Sequence, residues 1–151
     1  MTRAMNTPNR STTHREVDMT RLAGLGLELE ELAEQGPITP DRVIALAEEQ
    51  GKPTSHYYAA VALATEVELP TAPVTAVFCV GKCQSWGALD CVDAAVGAWE
   101  QRGGGFAIAV KSCLDRCVEA PVVQLRTPAG TALLERAKPA DVTAGLAAAL
   151  E

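Results

Sequence analysis

At 151 residues, with hydrophobic residues at 48% and charged residues at 21%, the chain has the composition of a globular protein, which excludes wholesale disorder and suits one domain or a domain with a small appendage. A formal net charge of -6 at pH 7 argues against nucleic acid as a partner, because phosphate binding needs a basic face. No run approaches the roughly 18 apolar residues of a membrane span and the amino terminus lacks the apolar core of a secretory signal, so no direct membrane insertion and a cytoplasmic location are expected.

Residues 1–19 are polar, carry Arg3, Arg10 and Arg15, and are expected to form a disordered tail. From Leu22 to Gln35, Leu22, Leu25, Leu29 and Leu32 recur on one helical face with Glu28, Glu30, Glu31 and Glu34 elsewhere, and Gly36-Pro37 ends the pattern. A second helix is expected from Thr39-Pro40-Asp41, with Thr39 as cap, Pro40 at the first position and Asp41 facing the helix dipole, running to Gly51. Ser55 reads as the cap of a third helix carrying Tyr58, Val61, Ala62 and Thr65, and Leu69 to Pro73 reads as a linker. Residues 20–70 are therefore expected to make a helical amino-terminal domain, and 71–151 a second one.

There the period changes. Val74 to Val80 is a short β-branched run, a strand. Leu89, Val92, Val96 and Trp99 recur at helical intervals between Gly87 and Arg102, and Gly103-Gly104-Gly105 stops that helix. Phe106, Ile108 and Val110 alternate with small residues up to Lys111, giving a second strand. Strand, helix and strand in this order normally join parallel neighbours, whose carboxyl ends emerge at one edge of the sheet. Val122 to Arg126 and Thr131 to Leu134 then suggest a hairpin about Thr127-Pro128-Ala129-Gly130, and Val142, Leu146 and Leu150 a closing helix. The expected class is α/β.

Five cysteines without an export signal point to metal or redox chemistry rather than a disulfide framework. Cys79 and Cys83 fall where the first strand ends; Cys113 and Cys117 fall just past the second. Parallel neighbours would put both pairs on adjacent loops, where two thiolates from each could supply the four ligands of a [2Fe-2S] cluster. Loop amides near Gly81 and Ser112 could donate to sulfur. The same spacing also describes a closed zinc site, so a zinc-stabilised interaction module stays open. A Rieske centre is disfavoured because His14 and His56 lie far upstream, and the spacing is not that of a thiol–disulfide motif. Cys91 falls on the helix stripe and reads as a small core residue, with replacement of Cys83 as a ligand the competing possibility. Lys82 and Arg116 flank expected ligands, where a positive charge would favour a reduced cluster, and Trp86 could shield the site.

The runs Cys79-Val80-Gly81-Lys82-Cys83-Gln84-Ser85-Trp86-Gly87-Ala88 and Cys113-Leu114-Asp115-Arg116-Cys117-Val118-Glu119-Ala120-Pro121 resemble the thioredoxin-like [2Fe-2S] ferredoxin family found among the components of NADH-quinone oxidoreductases, with relatives in NAD-linked formate dehydrogenases and bidirectional hydrogenases. Upstream, Ile44 to Glu49 and His56 to Ala60 are similar to that family's helical amino-terminal domain. The first pair has three intervening residues where the family commonly has four, and Asp115-Arg116 stands where a Gly-containing turn is usual. The resemblance implies a thioredoxin-like domain preceded by a small helical bundle, and a cluster on Cys79, Cys83, Cys113 and Cys117. It implies electron exchange with a flavin- and NAD-binding subunit and other iron-sulfur subunits, without catalytic groups on this chain. A stand-alone ferredoxin is the alternative.

Overall fold

The computed structural model describes residues 17–81, 87–113 and 119–150. The expectations for the tail and for Lys82, Cys83, Trp86, Arg116 and Cys117 lie outside the described residues, apart from the tail's last three positions. Helix α1 (Met19–Ala33) begins three residues before Leu22 because Asp18 caps it, its carboxylate accepting from the Thr20 and Arg21 amides at 2.7 and 3.4 Å. Leu22, Leu25 and Leu29 are buried as the stripe requires. Helix α2 (Pro40–Gln50) has Pro40 at its first turn and ends on Gly51 in the left-handed region. Thr39 occupies the cap position, but its side chain makes no capping bond; its carbonyl accepts from the Arg42 and Val43 amides instead.

Helix α3 (Thr54–Leu63) starts one residue before Ser55, with Pro53 in the cap position. Ser55 is thus inside the helix, and its hydroxyl and amide donate to Asp93 at 2.9 and 3.1 Å. Ser55, Tyr57, Tyr58, Ala59, Ala60 and Val61 are all buried, since α3 packs on α1, α2, α4 (Ala88–Arg102) and β2 (Ala107–Lys111). A helix apolar all round has to be enclosed in this way.

Strand β1 (Thr75–Cys79) is buried throughout. It pairs in parallel with β2, Thr75 opposite Ala107 through Cys79 opposite Lys111. On its other side it pairs antiparallel with β3 (Val123–Thr127), which forms a hairpin with β4 (Gly130–Leu134). The sheet order is β2-β1-β3-β4. Helix α5 (Pro139–Ala149) closes the chain, packing on α4 and β3. The molecule is therefore α/β, five helices with a four-stranded mixed sheet among the described residues. One apolar cluster runs from Leu22 and Tyr58 through Phe78 and Val92 to Leu146, so the helical segment and the sheet share a core. Among the described residues no helix is long and apolar enough to cross a membrane.

Candidate functional site

The parallel β1–β2 pair fixes the site's frame. Cys79 is the last residue of β1, stands opposite Lys111, and is 2% exposed. Cys113 lies two residues beyond the end of β2 on the same sheet edge, and is exposed. The two loops touch through their backbones. The Val80 amide donates to the Lys111 carbonyl at 2.8 Å, and the Cys79 thiol donates to the Ser112 carbonyl at 3.7 Å. Gly81 sits so close to Ser112 that a Cβ built on it would overlap the Ser112 carbonyl oxygen, so only glycine allows this approach.

Cys79 packs with Ala88, the first residue of α4, and with Ala120, forming a small apolar cluster of their own. Ala88 follows Cys83 by five residues, and Ala120 follows Cys117 by three. Ala88 and Ala120, which follow the two cysteine pairs in the sequence, therefore both lie against Cys79. The loop bearing Ala120 is held in turn by Arg136 and Ala137, whose amides donate to the carbonyls of Glu119 and Pro121 at 2.7 and 2.9 Å. The Ala120–Pro121 peptide bond is cis.

Neither the known protein families nor the curated proteins searched yield a match to this chain.

Of the four expected ligands, Cys79 and Cys113 are brought to one edge, while Cys83 and Cys117 lie outside the described residues. Among the described residues no three His, Cys, Asp or Glu side chains gather as a metal site. Cys91 is in the core at 0% exposure, its thiol donating to the Ala137 carbonyl at 3.5 Å. Burial, and then the charges of Asp90 and Asp141, push that thiol up to about 12, which keeps it protonated at neutral pH.

The sequence reading missed the polar seam that joins the helical segment to α4. Asp93 accepts both bonds from Ser55; the helices packed around its carboxyl raise it to about 6 against those bonds, although the residue as a whole is exposed. Next to Ser55, the His56 Nδ1 is buried without a hydrogen-bond partner among the described residues. Burial, and then the Arg21 charge, lower the imidazole to about 4. The Tyr57 hydroxyl donates to Glu28 at 2.9 Å, and Lys52 reaches the other oxygen of that carboxylate at 3.6 Å. Burial, and then the Glu28 bond, raise the tyrosine's pKa above its ordinary range. No local motif announces these pairs, since Ser55 and Asp93 are 38 positions apart.

Proposed function

We propose that this chain is a thioredoxin-like [2Fe-2S] protein that transfers single electrons as a subunit of an NAD-linked oxidoreductase complex, with Cys79, Cys83, Cys113 and Cys117 as ligands. The observation that carries the reading is the backbone contact of the two loops, with Cys79 and Cys113 on one sheet edge and Ala88 and Ala120 against Cys79. The donor set suits the group, because thiolate sulfur favours iron-sulfur clusters and two pairs on facing loops divide naturally between two irons. Further support is the connectivity: a parallel β-α-β unit, an antiparallel hairpin and a closing helix match what the family resemblance implies for a thioredoxin-like domain.

When bound, the cluster would take up and release one electron. The chain's own residues would hold it. Gly81 lets the loops meet, the Val80 to Lys111 bond clamps them, and buried Cys79 anchors the inner side. Exposed Cys113 marks the side from which a flavin- and NAD-binding subunit, or another iron-sulfur subunit, would exchange electrons.

Metal and acid-labile sulfide analysis, visible absorption, and EPR after reduction test the assignment on protein from its native host. Two irons and two sulfides per chain with a paramagnetic reduced state are expected. A single zinc without sulfide would overturn it in favour of an interaction module. Co-purification with a flavoprotein supports the subunit reading; recovery of the isolated chain with a reducible cluster would replace it by a mobile ferredoxin.

A further inference from the structure

Cys79 is held within a closed circuit of contacts that runs through the core of α4. Ala88, the first residue of that helix, packs on Cys79, and Ala120 packs on the two of them. Ala88 and Cys91 are three positions apart, which puts them on one face of α4. From that face the Cys91 thiol donates to the Ala137 carbonyl at 3.5 Å. The Ala137 amide donates in turn to the Pro121 carbonyl at 2.9 Å, and the neighbouring Arg136 amide to the Glu119 carbonyl at 2.7 Å. Those two bonds bracket Ala120, so the path from Cys79 through Ala88, Cys91, Ala137 and Pro121 returns by Ala120 to Cys79.

Residues 135–138, between β4 and α5, therefore act as a strap across the loop that bears Ala120. The shape of the strap is imposed by its surroundings. Arg136 has a φ of 49°, in the left-handed region that residues other than glycine rarely adopt, and such a backbone persists only where neighbouring contacts fix it. Ala137 is buried and Cys91 is fully so, which closes the bond between them to water and strengthens it. Because burial keeps the Cys91 thiol protonated, it stands as a donor toward that carbonyl.

We propose that Cys91 is a positioning residue for the candidate centre: its thiol, acting through the Ala137 carbonyl, holds the strap that seats Ala120 on Cys79. The consequence for the centre rests on the cluster assignment above, whereas the strap itself can be followed in the metal-free protein.

Amide hydrogen exchange of the metal-free full-length protein is compared for the parent, Cys91→Ala and Cys91→Ser, alongside release of iron to a chelator from each loaded protein. A thiol-to-carbonyl bond is weak, so Cys91→Ala should speed exchange at Arg136 and Ala137 by about threefold to fivefold. The Leu29 and Val43 amides, in the helical segment, should keep their parent rates. Iron release should quicken by a similar factor. Cys91→Ser, which keeps a donor, should bring both rates back to within about twofold of the parent. Cys91→Val, which fills the site without a donor, replaces Cys91→Ala if that variant fails to fold, with the same expectation. Exchange that rises equally at Leu29 and Val43 would reduce Cys91 to a packing residue and overturn the proposal, as would unchanged exchange at Arg136 and Ala137 or equal rates in the serine and alanine variants. Iron release unmoved by Cys91→Ala from a loaded protein would overturn the positioning role alone. A parent without an iron-sulfur cluster would instead overturn the cluster assignment and the positioning role with it, while exchange would still read the strap.

Discussion

At the carboxyl ends of β1 and β2 the protein is built backbone against backbone, with Gly81 on Ser112 and Val80 bonded to Lys111. At the amino ends of the same strands it is built side chain against side chain, with Tyr58, Trp99 and Phe106 standing around open space. The first arrangement tolerates no added atom, because a carbonyl oxygen cannot swing away as a side chain can. The second tolerates a changed ring substituent, because the cavity absorbs it. One sheet thus has a closely packed edge that carries Cys79 and Cys113 and, at its other end, a groove lined by rings.

The largest expected effect separates the two ends completely. Cys113→Ser should abolish visible absorption from the proposed cluster while leaving the Trp99 indole N–H signal at the far end unshifted, read from absorption and NMR on the same sample. Loss of the absorption together with a shift of that signal would mean that the ends are not independent. Gly81→Ala comes next. Overpacking against the Ser112 carbonyl should cost about 1–3 kcal/mol in urea unfolding of the metal-free protein and lower its iron uptake. Tyr58→Phe, which adds no atom, should fall within about 0.5 kcal/mol of the parent. Equal costs for these two substitutions would erase the contrast between a backbone-built and a side-chain-built end.

A smaller effect is expected in the seam that holds the helical segment to α4. Ser55→Ala removes a hydroxyl bonded to Asp93 and should cost about 0.5–1.5 kcal/mol, checked by the same urea titration. The pH profile is smaller still because two groups oppose each other. His56 is lowered to about 4 in the fold, so its contribution is intact above about pH 6.5 and is lost as pH falls through that window. Asp93 is raised to about 6, so its contribution is intact below about pH 4 and is lost as pH rises toward 6. The parent protein should therefore vary little in stability between about pH 4 and 6.5. Asp93→Asn should lose stability on acidification across that range, and His56→Gln should gain it, as measured by thermal melts at several pH values.

Much of the fold was legible from local patterns. The leucine stripe of α1, Pro40 and Gly51 around α2, the β-branched run of β1 and the glycines after α4 each act within a few residues, and the corresponding elements lie where those signals fall. The errors arise where a distant partner outweighs the local signal. Ser55 reads as a cap because serine commonly caps helices, yet its hydroxyl is taken by Asp93 of α4. Thr39 holds the cap position without making the cap bond. The start of α1 shifts because Asp18, outside the leucine pattern, supplies the capping carboxylate.

For the candidate site, cysteine spacing and the change of period before Val74 were enough to bring Cys79 and Cys113 to one edge in expectation, since parallel strands joined by a helix leave their carboxyl ends together. The approach of Gly81 to Ser112, the return of Ala88 and Ala120 to Cys79, and the cavity around Tyr58 had no counterpart in the linear pattern. By itself the amino-acid order determined which segments coil, which extend, and which thiols could meet, because capping, periodicity and turn chemistry act over a few residues. Tertiary packing alone decided how closely the loops approach and which rings surround empty space, because those outcomes depend on atoms that the chain separates by tens of residues.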